Sequence, residues 1–260
     1  MYYSPLLSIF RLSILIPWTI ICSVVQMGFF FLPKKFSFVI PKIFFKGLLT
    51  LFGISLKIYG RANKKGTLFI SNHTSYLDII ILGSKLGGKF VAKSEISNWP
   101  IINFVVKLGK TIFINRKEIL KSRNQVNILS KNLRNGFNVI LFPEGTSNDG
   151  TQILPFKSSL FGIVEISENR IFELQPVSIN YTGFDGLPVN RIFKQFYAWY
   201  GSVDLAPHAW KLMGLGTCEI TINFHDALEF SRFKSRKSAS KYCYDIISNY
   251  KCNTVNKFNL

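Results

Sequence analysis

The chain has 260 residues, 32 Lys and Arg against 14 Asp and Glu, a formal net charge of +18, and 48% hydrophobic residues including 25 Phe. The apolar content excludes a disordered basic tail, and the length excludes two large domains. So large a positive charge points to an anionic partner: nucleic acid, an acidic lipid surface, or an anionic substrate. Cys22, Cys218, Cys243 and Cys252 form no C-x-x-C pair, and with His73, His208 and His225 they show no zinc spacing. Free thiols in a reducing compartment and no metal site are therefore expected.

Residues 12–32 read LSILIPWTIICSVVQMGFFFL, without a charge. That length suffices for a bilayer core, which needs about 20 residues. A signal peptide would have a shorter apolar region followed by an A-x-A-like cleavage site. Here the segment runs into Pro33-Lys34-Lys35, so it reads as an uncleaved membrane segment, with Pro17 working against a straight helix. A second apolar stretch, 36–59, is interrupted by Lys42, Lys46 and Lys57. It reads as an interfacial helix, with a buried core helix as the competing reading. Lys34, Lys35, Lys42, Lys46, Arg61, Lys64 and Lys65 follow the first segment, which places the remainder of the chain on the cytoplasmic side. One span, or a two-helix hairpin that never fully crosses, fits equally. The expected organisation is thus membrane-embedded or interfacial helices over 1–60 and an α/β domain over 61–260.

The body alternates strands and helices. Strands are expected at 67–71, 89–92, 111–114, 137–142, 173–181 and 217–224. Asn72, Thr74 and Ser75 are helix-cap residue types ahead of the apolar run 79–82, and Trp99-Pro100 opens another helix. Ile119, Val126, Leu129 and Leu133 share one helical face, with Gly136 at its end. Residues 143–150 are loop chemistry, 158–165 a helix and 238–250 a closing helix. The aromatic stretch 199–210 reads as a loop forming a wall or a membrane-facing surface. The fold class is α/β: a mostly parallel central sheet flanked by helices, preceded by an N-terminal membrane-embedded helical segment.

Three polar clusters directly follow apolar strands: the His73 loop, Arg116, and Glu144-Gly145-Thr146. In open α/β sheets ligands bind beyond such strand ends, so one shared cleft is expected. Asp78 follows His73 at a spacing that can bring its carboxylate to one imidazole nitrogen, leaving the other as a base. A capping Asp beside a satisfied His gives the same spacing. G-x-S-x-G is absent, and no Ser or Cys stands out as a covalent nucleophile. His208 and His225 read as structural.

Asn72-His73-x-x-x-x-Asp78 resembles the N-H-x-x-x-x-D motif of the glycerolipid acyltransferases, the family of 1-acylglycerol-3-phosphate acyltransferase. Three further blocks resemble the family's in order: Gly109 to Arg116 (with one extra residue after the Gly), Phe142-Pro143-Glu144-Gly145-Thr146, and Gln175-Pro176-Val177-Ser178-Ile179. The resemblance covers residues 60–181, and the apolar N-terminus resembles the family's membrane-embedded helical pair. It implies a membrane-bound enzyme, at a bacterial inner membrane, that moves an acyl group from acyl-coenzyme A or acyl carrier protein to the hydroxyl of a lysophospholipid. The first expectation is 1-acyl-sn-glycerol-3-phosphate as acceptor, giving phosphatidic acid. It further implies His73 as general base, Asp78 as its orienter, Arg116 on the acceptor's phosphate, Glu144, Gly145 and Thr146 shaping the acceptor site, no bound cofactor, and anionic membrane lipid as a partner.

The chain departs from the family in having Ser147 where Arg often follows E-G-T. Either Lys157 or another of the chain's many lysines supplies the missing charge, or the acceptor is another lysolipid, such as lyso-ornithine lipid. A catalytically silent membrane protein of the same fold is a further alternative, against which the intact His73 and Asp78 speak. No nucleic-acid-binding signature accompanies the basic pI of about 9.8, so no nucleic-acid partner is expected.

Overall fold

A computed structural model describes residues 3–29, 33, 36, 38–64, 66–93, 112–114, 123–166, 170–189 and 191–256. Its centre is β2 (Thr67–Ser71), all five residues of which are buried. Side chains alternate across it: Phe69 joins one hydrophobic cluster, Leu68 and Ile70 the other. A strand buried on both faces reads as a continuous apolar run, as 67–71 does. Complete burial of each of these three side chains contributes roughly 1.5–3 kcal/mol.

On one side of β2 lie β5 (Asn138–Leu141), β3 (Gly88–Lys93) and β4 (Ile112–Ile114), all parallel to it. On the other lies the long β6 (Glu173–Phe184), also parallel to β2. Beyond β6 come β8 (Cys218–Phe224), antiparallel to it, and the edge strand β1 (Ile54–Tyr59), parallel to β8. The short β7 (Leu187–Pro188) and β9 (Leu228–Glu229) pair antiparallel with β6. The sheet is mixed and mostly parallel, as expected of the class.

One face of the sheet carries α1 (Pro5–Phe29), α2 (Val39–Leu51) and α3 (Leu77–Lys85). The other carries α4 (Arg123–Arg134), a 3₁₀ helix (Ser158–Glu165) and the closing helix α7 (Arg236–Asn256). The helix expected at Trp99-Pro100 and the position Ile119 lie outside the described residues. Cys22, Cys218 and Cys243 are buried free thiols.

Three elements differ from the sequence reading. The stretch 36–59 is not one interfacial helix: α2 buries Ile40, Pro41, Phe45, Leu48 and Leu49 and packs between α1 and α3. Gly53, at φ +66°, ends it and turns the chain into β1. The stretch 199–210 is not all loop. It contains most of α6 (Leu205–Met213), preceded by α5 (Arg191–Tyr197). Pro207 falls in the first turn of α6, where a missing N–H costs no intrahelical bond. The N-terminal helix begins at Pro5, and Arg11 lies inside it, buried. Arg11 Nη1 donates to the carbonyls of Met213 (3.0 Å) and Leu215 (2.6 Å), and Ser8 Oγ donates to the carbonyl of Trp210 (3.0 Å). These bonds tie the start of α1 to the end of α6.

Candidate active site

His73 follows β2, and its loop leads into α3, whose first turn holds Asp78. The loop folds around that carboxylate. Asp78 Oδ2 lies 2.9 Å from His73 Nδ1 and accepts the backbone N–H groups of Thr74 (2.6 Å) and Ser75 (2.9 Å). Asp78 Oδ1 accepts the Tyr181 hydroxyl from β6 at 2.8 Å. The carboxylate is 0% exposed and sits at a helix N-terminus, where the peptide dipoles favour negative charge. These contacts hold the imidazole with Nδ1 on the acid side, so Nε2 is the nitrogen turned from it. The His73 ring stacks on Phe142, with centroids 4.2 Å apart, and its side chain is 18% exposed.

The second loop holds the first in place. Glu144, 2% exposed, accepts the His73 backbone N–H at Oε1 (2.7 Å). Its Oε2 accepts the Leu154 N–H (2.9 Å) and the Asn148 side-chain amide (2.5 Å). Burial pushes the Glu144 carboxyl upward, against the opposing pull of the Leu154 and His73 N–H groups. Gly145, at φ +80°, closes the tight turn by donating its N–H to the Phe142 carbonyl (3.2 Å), a backbone state that suits glycine. Thr146 is exposed at the loop's tip. Ser147 Oγ donates to the Trp199 carbonyl, and the Trp199 N–H donates to the Thr74 carbonyl (3.1 Å), linking the two loops through a third.

The structure thus brings His73, Asp78 and Glu144 into one hydrogen-bonded unit, with Gly145 and Thr146 beside it. Arg116 lies outside the described residues. Sequence reasoning missed Tyr181, Asn72 as a pin, and the contact of Tyr76 Oη with His208 Nδ1 (3.1 Å). Tyr181 stands two residues past the last motif among Ser178, Asn180 and Thr182, and no pattern along the chain singles it out. Among the described residues no group of His, Cys, Asp and Glu could hold a metal ion.

This loop-paired His–Asp centre on a mixed α/β sheet defines a class. The acyltransferase family model matches residues 55–180, and the chain belongs to that family, as its four ordered motifs led one to expect. The relatives are more particular. A lyso-ornithine lipid O-acyltransferase of Rhizobium meliloti (strain 1021) is 32% identical over 233 residues, covering 88% of this chain and 77% of the relative. A 1-acyl-sn-glycerol-3-phosphate acyltransferase of Neisseria gonorrhoeae is 29% identical over 185 residues, covering 69% of this chain and 68% of the relative. The crystal structure of the 1-acyl-sn-glycerophosphate acyltransferase PlsC from Thermotoga maritima superposes with a TM-score of 0.69 at 19% identity, covering 95% of this chain and 94% of that one, which shows the shared fold.

Proposed function

We propose that this acyltransferase moves a fatty acyl group from an acyl thioester, on coenzyme A or acyl carrier protein, to the hydroxyl of a lysolipid, with His73 as general base and Asp78 as its orienter. The single observation that carries this is the carboxylate of Asp78, buried and held by three donors besides the imidazole. That arrangement pins the Nδ1 proton and stabilises the imidazolium. The acceptor hydroxyl gives its proton to Nε2 as its oxygen bonds the thioester carbonyl carbon. The tetrahedral intermediate then breaks its C–S bond, and His73 returns the proton to the departing thiolate, leaving an ester and a free thiol.

Arg116 pairs with an anionic group of the acceptor, where a guanidinium makes bidentate contacts. Glu144 and Gly145 shape the acceptor site from behind by fixing the loop, and Thr146 meets the acceptor at the loop's exposed tip. The acceptor reading that fits best is an amino-acid-based lysolipid of the lyso-ornithine type. Two observations support it: Ser147 stands where a phosphate-binding Arg often does, with its hydroxyl engaged by Trp199, and relatives at 32% identity carry that name. 1-Acyl-sn-glycerol-3-phosphate is the second reading, favoured by the motif set and by the gonococcal relative.

The exposed side chains of α1 include Leu6, Ile9, Phe10, Ile16, Ile20, Ile21, Val24 and Met27. They form the surface that enters lipid, and the excess positive charge holds the domain against anionic headgroups at the cytoplasmic face. Because Ser8 and Arg11 tie the start of α1 to α6, embedding in one leaflet fits better than a full crossing. The test is acyl transfer by detergent-solubilised protein from acyl-coenzyme A or acyl carrier protein to a panel of lysolipids. Transfer that disappears in His73→Ala is expected, and full activity in that variant overturns the assignment. Alkaline carbonate extraction is expected to leave the protein with the membrane.

A further inference from the structure

Arg11 is a buried cation, 8% exposed, in the predominantly apolar α1. A guanidinium in that place is costly unless fixed acceptors surround it. The end of α6 supplies them. The last four carbonyls of a helix have no partner within it, and the helix dipole makes that end negative. In α6 two of the four, Lys211 and Leu212, accept the N–H groups of Gly214 (3.0 Å) and Leu215 (3.1 Å). The other two are taken by α1: Ser8 Oγ donates to Trp210 and Arg11 Nη1 to Met213, with the Leu215 carbonyl beyond the helix as the second acceptor of Arg11. The Ser4 N–H donates to the Gly214 carbonyl at 2.8 Å. The two backbones meet so closely that a Cβ on Gly214 would stand 2.6 Å from Ser8 Oγ and 2.7 Å from the Ser4 carbonyl oxygen. The start of α1 is therefore the C-terminal cap of α6.

The other side of the same segment meets the candidate site. Trp199, between α5 and α6, donates its N–H to the Thr74 carbonyl (3.1 Å), and its own carbonyl accepts from Ser147 Oγ. Tyr76 packs edge-on against Trp199 and His208, with ring centroids 6.0 and 5.6 Å away, and its Oη lies 3.1 Å from His208 Nδ1. Thr74 and Tyr76 lie between His73 and Asp78 in the chain, and the Thr74 N–H is one of the donors to Asp78. Tyr181, the hydroxyl donor to Asp78, stacks on Tyr197 at the end of α5, with centroids 5.7 Å apart. His208 and Met213 are five residues apart on α6, about 7.5 Å along its axis. Residues 209–212, AWKL, contain no Gly or Pro at which that stretch would kink. One short helix thus carries the contact with the His73 loop at one position and the contact with α1 at another.

We propose that Arg11 is a positioning residue for acyl transfer: by holding the end of α6 it seats that helix and Trp199 against the His73 loop, which makes α1 part of the catalytic unit as well as its anchor. The proposal rests on His73 being the base. Arg11 acts through α6 on Tyr76 and Thr74, and these set the loop in which the imidazole and Asp78 meet. An anchor that only held the domain at a bilayer would need neither a buried guanidinium nor a helix end to receive it. Loosening the junction therefore lowers the rate of the chemical step. Membrane attachment, which the exposed apolar side chains of α1 supply, stays in place.

The experiment compares full-length wild type, Arg11→Met, Arg11→Lys, Tyr76→Phe and the Arg11→Met, Tyr76→Phe double variant in vesicles of phosphatidylglycerol and phosphatidylethanolamine. Acyl transfer from acyl-coenzyme A or acyl carrier protein to lyso-ornithine lipid and to 1-acylglycerol-3-phosphate gives kcat and both KM values. Carbonate extraction and thermal melting are recorded for each variant. Arg11→Met is expected to stay with the membrane and to lose roughly ten- to a hundredfold in kcat with both KM values within about twofold, since misplacement by a change far from the chemistry costs this much. Arg11→Lys keeps a cation at the carbonyls and should recover part of the loss. Tyr76→Phe cuts the same path at its other end, so the double variant should lose less than the product of the two single losses. Losses that simply multiply, as at independent sites, overturn the proposal. So does a kcat of Arg11→Met equal to wild type, or one that the unfolded fraction explains in full. If Arg11→Met does not fold, Ser8→Ala, which removes the bond to Trp210, takes its place in the cycle. Failure of the underlying reading is seen separately, as undiminished activity of His73→Ala.

Discussion

The side chain of Asn72 and the backbone of Ile179 exchange two hydrogen bonds, Nδ2 to the carbonyl at 2.9 Å and the Ile179 N–H to Oδ1 at 2.8 Å. The regular pairing of β2 with β6 ends at Ser71 and Val177, and the Asn72 amide continues it as a peptide mimic. The backbone is thereby freed to turn and present His73. This explains why the residue before His73 is an amide rather than another apolar side chain.

Replacing Asn72 by Leu removes both bonds and leaves the Ile179 N–H and carbonyl buried without them. A loss of about 2–4 kcal/mol is expected, since each unsatisfied buried group costs about 1–3 kcal/mol. Denaturant unfolding measures it. The kcat of acyl transfer should fall by more than the fraction unfolded explains, and an unchanged kcat would show that the pin does not position His73.

Tyr181→Phe deletes the donor to Asp78 Oδ1 and little else, because the ring still stacks with Tyr197. Burial and the Asp78 carboxylate push the Tyr181 phenol far above its usual range, so it remains a donor throughout the working pH range. A loss of about 1.5–3 kcal/mol in stability is expected, the range for a bond to a charged group. The acid limb of the pH–rate profile should rise. A profile superimposable on wild type would show that the imidazole and the two backbone donors suffice.

Acceptor choice is expected to follow residue 147. Ser147→Arg places a guanidinium on the loop beside Thr146, suited to a phosphate. The ratio of kcat/KM for 1-acylglycerol-3-phosphate over lyso-ornithine lipid should increase on the order of tenfold or more, as a charge-assisted bond contributes about 1.5–3 kcal/mol. Kinetics with both acceptors measure the ratio, and a constant ratio would remove Ser147 from the specificity argument.

Stability should decline in mild acid. His208 Nδ1 lies 3.1 Å from Tyr76 Oη and His225 Nε2 lies 2.8 Å from Ser178 Oγ, and burial lowers both imidazoles below the ordinary His range. A depressed folded-state value means the unfolded chain takes up protons first, so the stability present above about pH 6.5 is lost as pH falls below it. Melting temperature against pH is the measurement. His208→Gln should flatten the decline, and an equally steep curve would point to other groups.

Much of this protein was legible before its structure. The strands at 67–71 and 137–142 stood out because their side chains are buried on both faces, which leaves a largely apolar run. The candidate site was legible because its residues are local: His73 and Asp78 lie within one loop and one helical turn. Elements whose identity depends on partners were misread. Residues 39–51 carry lysines among apolar residues, and whether that face meets lipid or α3 is decided by what packs on it. Residues 205–213 look like loop, and become a helix against the end of α1.

The sequence alone determined the family and the order of the motifs, and the family resemblance, rather than spacing, implied the His73–Asp78 pairing, a contact made within six residues. Only the tertiary structure decided that Glu144 turns inward to hold the His73 backbone and that Tyr181 completes the shell of Asp78. Those contacts join residues 71 and 103 positions apart. Their formation depends on how strands and helices pack rather than on any pattern along the chain, since a buried charge is stable only where the fold assembles its partners around it.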